Sequence, residues 1–145
     1  MFYFIRHGLS YANAVKEHRW YGILLYKFLR DPGLTQFGIT CSKNGFKPDV
    51  DYVLCSSLKR AIETAYYMYP DKEIYVCPYL CEINPGLENY PLDDKILSRV
   101  NYNYVNGHNG AHKSKMKSFL KFIESHDKFA NKKLAIVCHG TLMRH

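Results

Sequence analysis

Two short motifs, Arg6-His7-Gly8 and His139-Gly140, each follow an apolar run, and each sets an imidazole beside a glycine. Between them lie Ser56-Ser57-Leu58-Lys59-Arg60 and the carboxylate Glu82. These residue types suit phosphoryl chemistry. Two guanidiniums, Arg6 and Arg60, together with a helix N-terminus can cradle a dianionic phosphoryl group, because each arginine donates bidentate bonds. A neutral imidazole in line with that group can attack phosphorus and carry it covalently, while a carboxylic acid protonates the departing oxygen. Gly8 and Gly140 leave room for close backbone approach. No metal or other cofactor enters this expectation, because the arginines and the second histidine supply the charge that Mg²⁺ supplies elsewhere. Taken singly, each residue is an ordinary surface arginine or core histidine. The expectation rests on the set.

For these groups to meet, they must share one edge of a sheet. Four short apolar runs, Phe2–Ile5, Tyr52–Cys55, Ile74–Cys77 and Leu134–Cys138, have the pattern of strands buried on both faces of a parallel sheet. Helical patterns lie between them. Ser56 and Ser57 are N-cap candidates for a helix carrying Leu58, Ala61, Ile62 and Ala65. Met116, Phe119, Leu120 and Ile123 form an amphipathic stripe before the last strand. A third helix is expected within Ala14 to Arg30, ended by Asp31-Pro32-Gly33. Residues 83–112, rich in Pro, Gly and Asn, read as loop with a short helix around Asp93 to Val100. Strands alternating with helices predict an α/β sandwich, whose ligands collect at the C-terminal ends of the strands. Arg6, His7, Ser56, Glu82 and His139 all fall at or just after such ends.

The chain of 145 residues fits a single domain spanning 1–145, and 47% hydrophobic with 23% charged residues excludes disorder as the main reading. Lys plus Arg is 20 against 13 Asp plus Glu, a net +7 that favours phosphorylated metabolites, phosphoproteins or nucleic acid as partners. Nucleic acid is disfavoured, because the 14 lysines form no dense basic block. The longest apolar-leaning run, Tyr21 to Leu29, is broken by Lys27 and falls short of the ~18 residues of a membrane span. The N-terminus has no leader character, so a soluble, non-membrane protein is expected. Five cysteines, an odd number in a chain able to build its own core, point to reduced thiols and a cytoplasmic setting. Cys77 and Cys81 lack the further ligands of a zinc site. The remaining histidines, His18, His108, His112, His126 and His145, belong to no motif and are expected at the surface.

The motifs, in their order, resemble the histidine phosphatase superfamily, also called phosphoglycerate mutase-like. The matching stretches are Phe4 to Asn13, Asp31 to Gly38, Val53 to Ala65, Leu80 to Ile83 and Ala135 to Gly140. The resemblance implies a three-layer α/β/α sandwich around a mostly parallel sheet. It also implies a phosphomonoesterase in which His7 is the phosphorylated nucleophile and Glu82 the proton donor. Arg6, Arg60 and His139 would then line the phosphate pocket, and Asn13 matches a position that contacts phosphate in the mutase branch. Activity is expected to fall as pH drops through the histidine range, because the attacking nitrogen must be unprotonated.

Departures from the family pattern qualify the picture. Position 9, often Glu, is Leu9, outside the catalytic set. The segment after Glu82 is short and Gly86-Leu87-Glu88-Asn89-Tyr90 holds no cation, which disfavours a phosphoglycerate mutase-type phosphotransferase. The chain stops at His145, five residues after Gly140, where family members usually continue with a helix. It is expected to be either a minimal, C-terminally short member or a truncated one, whose exposed face a partner chain, such as a second copy in a homo-oligomer, would cover. Two further alternatives are a non-catalytic phosphoryl-binding module and a basic nucleic-acid-binding protein. The complete residue set opposes the first, and the scattered cations oppose the second.

Overall fold

In the computed structural model all four apolar runs form strands of one sheet. The structure describes residues 1–17, 31–82, 92–102 and 112–144. The strands are β1 (Phe2–Arg6), β2 (Tyr52–Cys55), β3 (Ile74–Val76), β4 (Val100–Asn101) and β5 (Leu134–Cys138). Their order is β1-β5-β2-β3-β4, and every neighbouring pair is parallel. The helices are α1 (Tyr11–Glu17), α2 (Gln36–Asn44), α3 (Lys59–Met68), α4 (Asp94–Leu97) and α5 (His112–Ser125). Short 3-10 turns follow β3 at Pro78–Leu80 and β5 at Leu142–Arg144.

The alternation of side chains along each strand divides the core into two layers. Val53, Cys55, Ile74, Val76, Ala135 and Val137 face one side, where they pack against Ala61, Ile62 and Ala65 of α3 and Ile96 of α4. Leu54, Tyr75, Leu134, Ile136 and Cys138 face the other, against Phe119 and Ile123 of α5 and Phe129. This is the α/β sandwich that the strand–helix alternation predicts, in the three-layer α/β/α form that the family resemblance implies. Among the described residues no helix is long and apolar enough to cross a membrane.

Several local expectations change. β1 is not buried on both faces: Phe2 and Phe4 remain 40% and 37% exposed. The cause is its place at the sheet edge, where Tyr3 and Ile5 pack into the α3-side layer and the alternate face is open. α3 does not begin on Ser56 or Ser57. Leu58 occupies the N-cap without a side-chain bond, and the Lys59 N–H donates instead to both carboxylate oxygens of Asp31, at 3.1 and 2.9 Å. A cap supplied from a distant loop leaves no local sequence signal.

α2 was not expected at all. Its buried residues are Gly38 and Ser42, so its inward face is marked by small residues rather than by an apolar stripe. Thr35 caps it, accepting from Gly38 N–H at 3.0 Å while its own hydroxyl donates to the Leu9 carbonyl. A Cβ on Gly38 would lie 2.2 Å from that same carbonyl oxygen, so only glycine permits this approach.

α1 overlaps the helix expected within Ala14 to Arg30 only over Ala14–Glu17 and begins three residues earlier, at Tyr11; residues 18–30 lie outside the described residues. α4 matches the short helix expected near 93–100, whereas β4, two residues long, is too brief for any periodic signal. His126 is half-buried rather than superficial, because its ring packs on Phe122 and Phe129 at 5.3 and 4.9 Å between centroids. Of the other motif-free histidines, His18, His108 and His145, and the His112 side chain, lie outside the described residues. All five cysteines are thiols. Burial pushes the Cys77 thiol up to about 12 and Cys138 to about 11, and raises Cys55 as well, so none of the three is a ready nucleophile.

Candidate active site

Strand order decides which side chains meet. β5 lies between β1 and β2, with Arg6 in register with Cys138 and Cys55 in register with Val137. The ladder runs one step past the strand ends, through His7 N–H to Cys138 O and Ser56 N–H to Val137 O, both 3.0 Å. His7, His139 and Ser56 therefore leave the sheet side by side. The His7 and His139 rings stand 5.0 Å apart, and His139 Nε2 is 2.8 Å from Ser56 Oγ. Arg60 enters from the first turn of α3. Glu82 does not follow its strand directly: the Pro78–Leu80 turn lies between the end of β3 and the carboxylate.

His7 is buried, and its ring orientation is set by its neighbour. Nδ1 lies 2.7 Å from the Gly8 carbonyl oxygen, which can only accept, so Nδ1 carries the proton. Nε2 then holds the free lone pair. Burial, helped by the positive charges of Arg60 and Arg6, lowers the His7 pKa to about 4, against the opposing effects of the Gly8 bond and Glu82. The imidazole is neutral across the physiological range. Gly8 itself fits tightly, since a Cβ there would come within 3.0 Å of Ser42 Oγ and 3.1 Å of the Gly38 carbonyl. Its N–H donates to Thr64 of α3 at 3.0 Å, which ties the loop after β1 to the helix that carries Arg60.

Arg60 is buried between two carboxylates. Nη1 lies 3.6 Å from Asp31 Oδ1, and Nη2 donates to Glu82 Oε2 at 2.6 Å. Asp31 is almost fully buried with φ +31°, a left-handed backbone that Asp tolerates better than most residues. Glu82 also lies 3.7 Å from His139 Nδ1, and its other oxygen accepts from Thr141 Oγ1 at 2.5 Å. Burial would raise the Glu82 pKa, but His139, the Thr141 hydroxyl and Arg60 together outweigh it and hold the carboxyl below its usual range. Glu82 is therefore a carboxylate at neutral pH.

A cavity of about 180 Å³ opens here, lined by Arg6, His7, Asn13, Arg60, Glu82 and Gly140 together with Ser10, Thr141 and Arg144. Every residue expected from the sequence lines it except Gly8, which shapes the loop beside it, and His139, fully buried behind His7 and Glu82. Arg6 spreads over Gly140, whose hypothetical Cβ would lie 3.3 Å from Arg6 Nε. Asn13 is oriented by Ser10, whose hydroxyl donates to its Oδ1 at 2.7 Å. Sequence reasoning missed Asp31, Ser56, Thr141 and Arg144 as site residues. Thr141 had a usable signal, directly after His139-Gly140. Asp31 had none beyond its motif, because its role depends on a contact across the fold. No group of three or more His, Cys, Asp or Glu among the described residues is placed to hold a metal ion. The cavity's cations are guanidiniums suited to a tetrahedral oxyanion.

The α/β sandwich thus carries an arginine- and histidine-lined cavity beyond the C-terminal ends of its strands. The family model of the histidine phosphatase superfamily (branch 1) matches residues 2–145, and the chain belongs to that superfamily. Solved structures share its fold. The phosphoserine phosphatase of Entamoeba histolytica, in complex with 3-phosphoglyceric acid, is 23% identical with a TM-score of 0.60, covering 99% of this chain and 75% of its own. The alpha-ribazole phosphatase of Shigella flexneri is 17% identical with a TM-score of 0.60, covering 98% and 75%. The ecdysone phosphate phosphatase of Bombyx mori, in complex with tungstate, is 15% identical with a TM-score of 0.66, covering 99% and 74%. No curated protein matches the chain by sequence.

Proposed function

We propose that this chain is a metal-independent phosphomonoesterase that passes the phosphoryl group through His7, on a small phosphorylated metabolite or phosphoprotein. One observation carries the reading: a neutral His7, with Nδ1 committed to the Gly8 carbonyl, lines a cavity also lined by Arg6 and Arg60. Nε2 attacks phosphorus, the bond from phosphorus to the ester oxygen breaks, and Glu82 in its acid form delivers a proton to that oxygen. Water then attacks the phosphohistidine with Glu82 as base, and the P–N bond breaks to release inorganic phosphate. Arg6 and Arg60 bear the charge that develops on the phosphoryl oxygens, and Asn13 adds a polar contact at the rim. His139, held by Ser56, supports the pocket from behind His7.

Glu82 and the phosphoryl group compete for Arg60. A phosphoryl dianion that takes the Arg60 donors frees Glu82, and the nearby dianion then favours the protonated carboxyl that the leaving oxygen needs. Three of the chain's relatives by fold are phosphatases, and the complexes with 3-phosphoglyceric acid and tungstate support a site for small phosphate esters or tetrahedral oxyanions. A reducing cytoplasm suits the five thiols.

The test is release of inorganic phosphate from a panel of phosphorylated metabolites and phosphopeptides with EDTA present. Turnover is expected to survive chelation, and an acid-labile, base-stable phosphoryl label is expected on the protein. Complete loss with EDTA, restored by Mg²⁺, overturns metal independence. A label that persists in His7→Ala moves the nucleophile elsewhere.

A further inference from the structure

The proton donor of the proposed reaction needs one partner that the phosphoryl group does not take from it. Glu82 accepts two side-chain hydrogen bonds, and His139 Nδ1 lies further off, at 3.7 Å from Oε2. Arg60 holds Oε2 at 2.6 Å, and the Thr141 hydroxyl holds Oε1 at 2.5 Å. Arg60 lines the cavity and is the phosphoryl group's own partner, so substrate draws it away. Thr141 has no charge to give to an anion and stays.

Its placement is fixed by the turn that carries it. Leu142 N–H and Met143 N–H both donate to the His139 carbonyl, at 3.0 and 3.2 Å, and the fully buried Leu142 side chain anchors the turn in the core. Gly140, immediately before Thr141, lies under the Arg6 side chain. The Thr141 hydroxyl is therefore set against Glu82 by the same segment that sets His139.

We propose that Thr141 is the positioning residue for Glu82, its hydroxyl holding the carboxyl at the cavity while the phosphoryl group takes Arg60. This rests on the reading of Glu82 as the acid. The groups facing Glu82 are Arg60 from α3, His7 from the end of β1, and His139 and Thr141 after β5. Arg6 and Arg144 line the same cavity, and Lys115 of α5 donates to the carbonyl of the preceding Cys81 at 3.2 Å. Because Thr141 donates to the ionised carboxylate, removing its hydroxyl favours the protonated form.

The experiment follows the Glu82 side-chain carboxyl by ¹³C NMR across pH in the wild type, Thr141→Val, Thr141→Ala and Thr141→Ser. It also compares kcat on glycerol phosphate with kcat on p-nitrophenyl phosphate. Thr141 is solvent-exposed, so none of these changes disturbs the core. Val and Ala are expected to move the Glu82 midpoint upward and to cut kcat on the alkyl ester about tenfold, with little loss on the aryl ester, whose phenolate leaves unaided. Ser is expected to restore both. An unmoved midpoint, equal losses on the two esters, or failure of Ser to rescue overturns the proposal. The titration needs no turnover, so a wild-type protein that hydrolyses neither ester sinks the phosphatase reading alone.

Discussion

The rings of His7 and His139 lie 5.0 Å apart with their planes inclined at 56°, although the residues come from opposite ends of the chain. Their nearness follows from the parallel pairing of β1 with β5 and the register of Arg6 with Cys138. His7 is buried beside the guanidiniums of Arg60 and Arg6, and burial together with those charges disfavours a positive charge on its ring. His7 answers by remaining neutral.

This neutrality moves the acid limb of activity. With the His7 pKa near about 4 instead of 6.5, kcat/KM is expected to hold through the ordinary histidine range and to fall only in more acid solution. The same shift acts on stability. The unfolded chain protonates His7 first, so the stability tied to the neutral ring is complete above 6.5 and is lost as pH falls toward about 4, to an extent on the order of 3 kcal/mol. Urea midpoints measured from pH 7 to 4 should show this slope in the wild type and a shallower one in His7→Gln. Equal slopes would remove His7 from the account.

Arg60→Lys should lose much of the activity. The guanidinium spans Asp31 at Nη1 and Glu82 at Nη2, and an ammonium cannot occupy both positions and still present a planar fork to an anion. The expected loss in kcat/KM corresponds to roughly 2–4 kcal/mol. A near-wild-type variant would mean that Arg60 contributes only its field.

Glu82→Gln should separate two roles of one residue. Hydrolysis of alkyl phosphates should fall steeply, and that of p-nitrophenyl phosphate much less, because only the alkoxide needs a proton. Inorganic phosphate should bind at least as tightly as in the wild type, because the competing carboxylate on Arg60 is gone. Calorimetric titration with phosphate checks the second outcome. Weaker phosphate binding together with equal losses on both esters would make Glu82 a binding residue.

Gly38→Ala should destabilise the fold by about 3 kcal/mol. The new methyl group would meet the Leu9 carbonyl, which is held in place by bonds from both the Thr35 N–H and the Thr35 hydroxyl, at 2.9 and 3.0 Å. Relaxation would have to displace the loop after β1, so activity should fall along with the urea midpoint. A stable, fully active variant would show that α2 can move away from Leu9 without cost.

What the sequence determined by itself is four of the five strands and the residue types at their ends. A strand buried on both faces must be apolar throughout, so Tyr52–Cys55 and Leu134–Cys138 announce themselves, and Arg-His-Gly and His-Gly are local strings whose residue types carry their own meaning. The amphipathic stripe of α5 is legible for the same reason. Tertiary structure decided everything that depends on a partner from elsewhere in the chain. Strand order put β5 between β1 and β2 and so made His7, His139 and Ser56 neighbours. Asp31 caps a helix that begins 28 residues later, and α2 hides its inward face behind Gly38 and Ser42. The state of Glu82 belongs to this second group. Its charge reflects Arg60, His139 and Thr141, residues brought within reach only when the sheet closes, because electrostatic coupling depends on distance in space and not on distance along the chain.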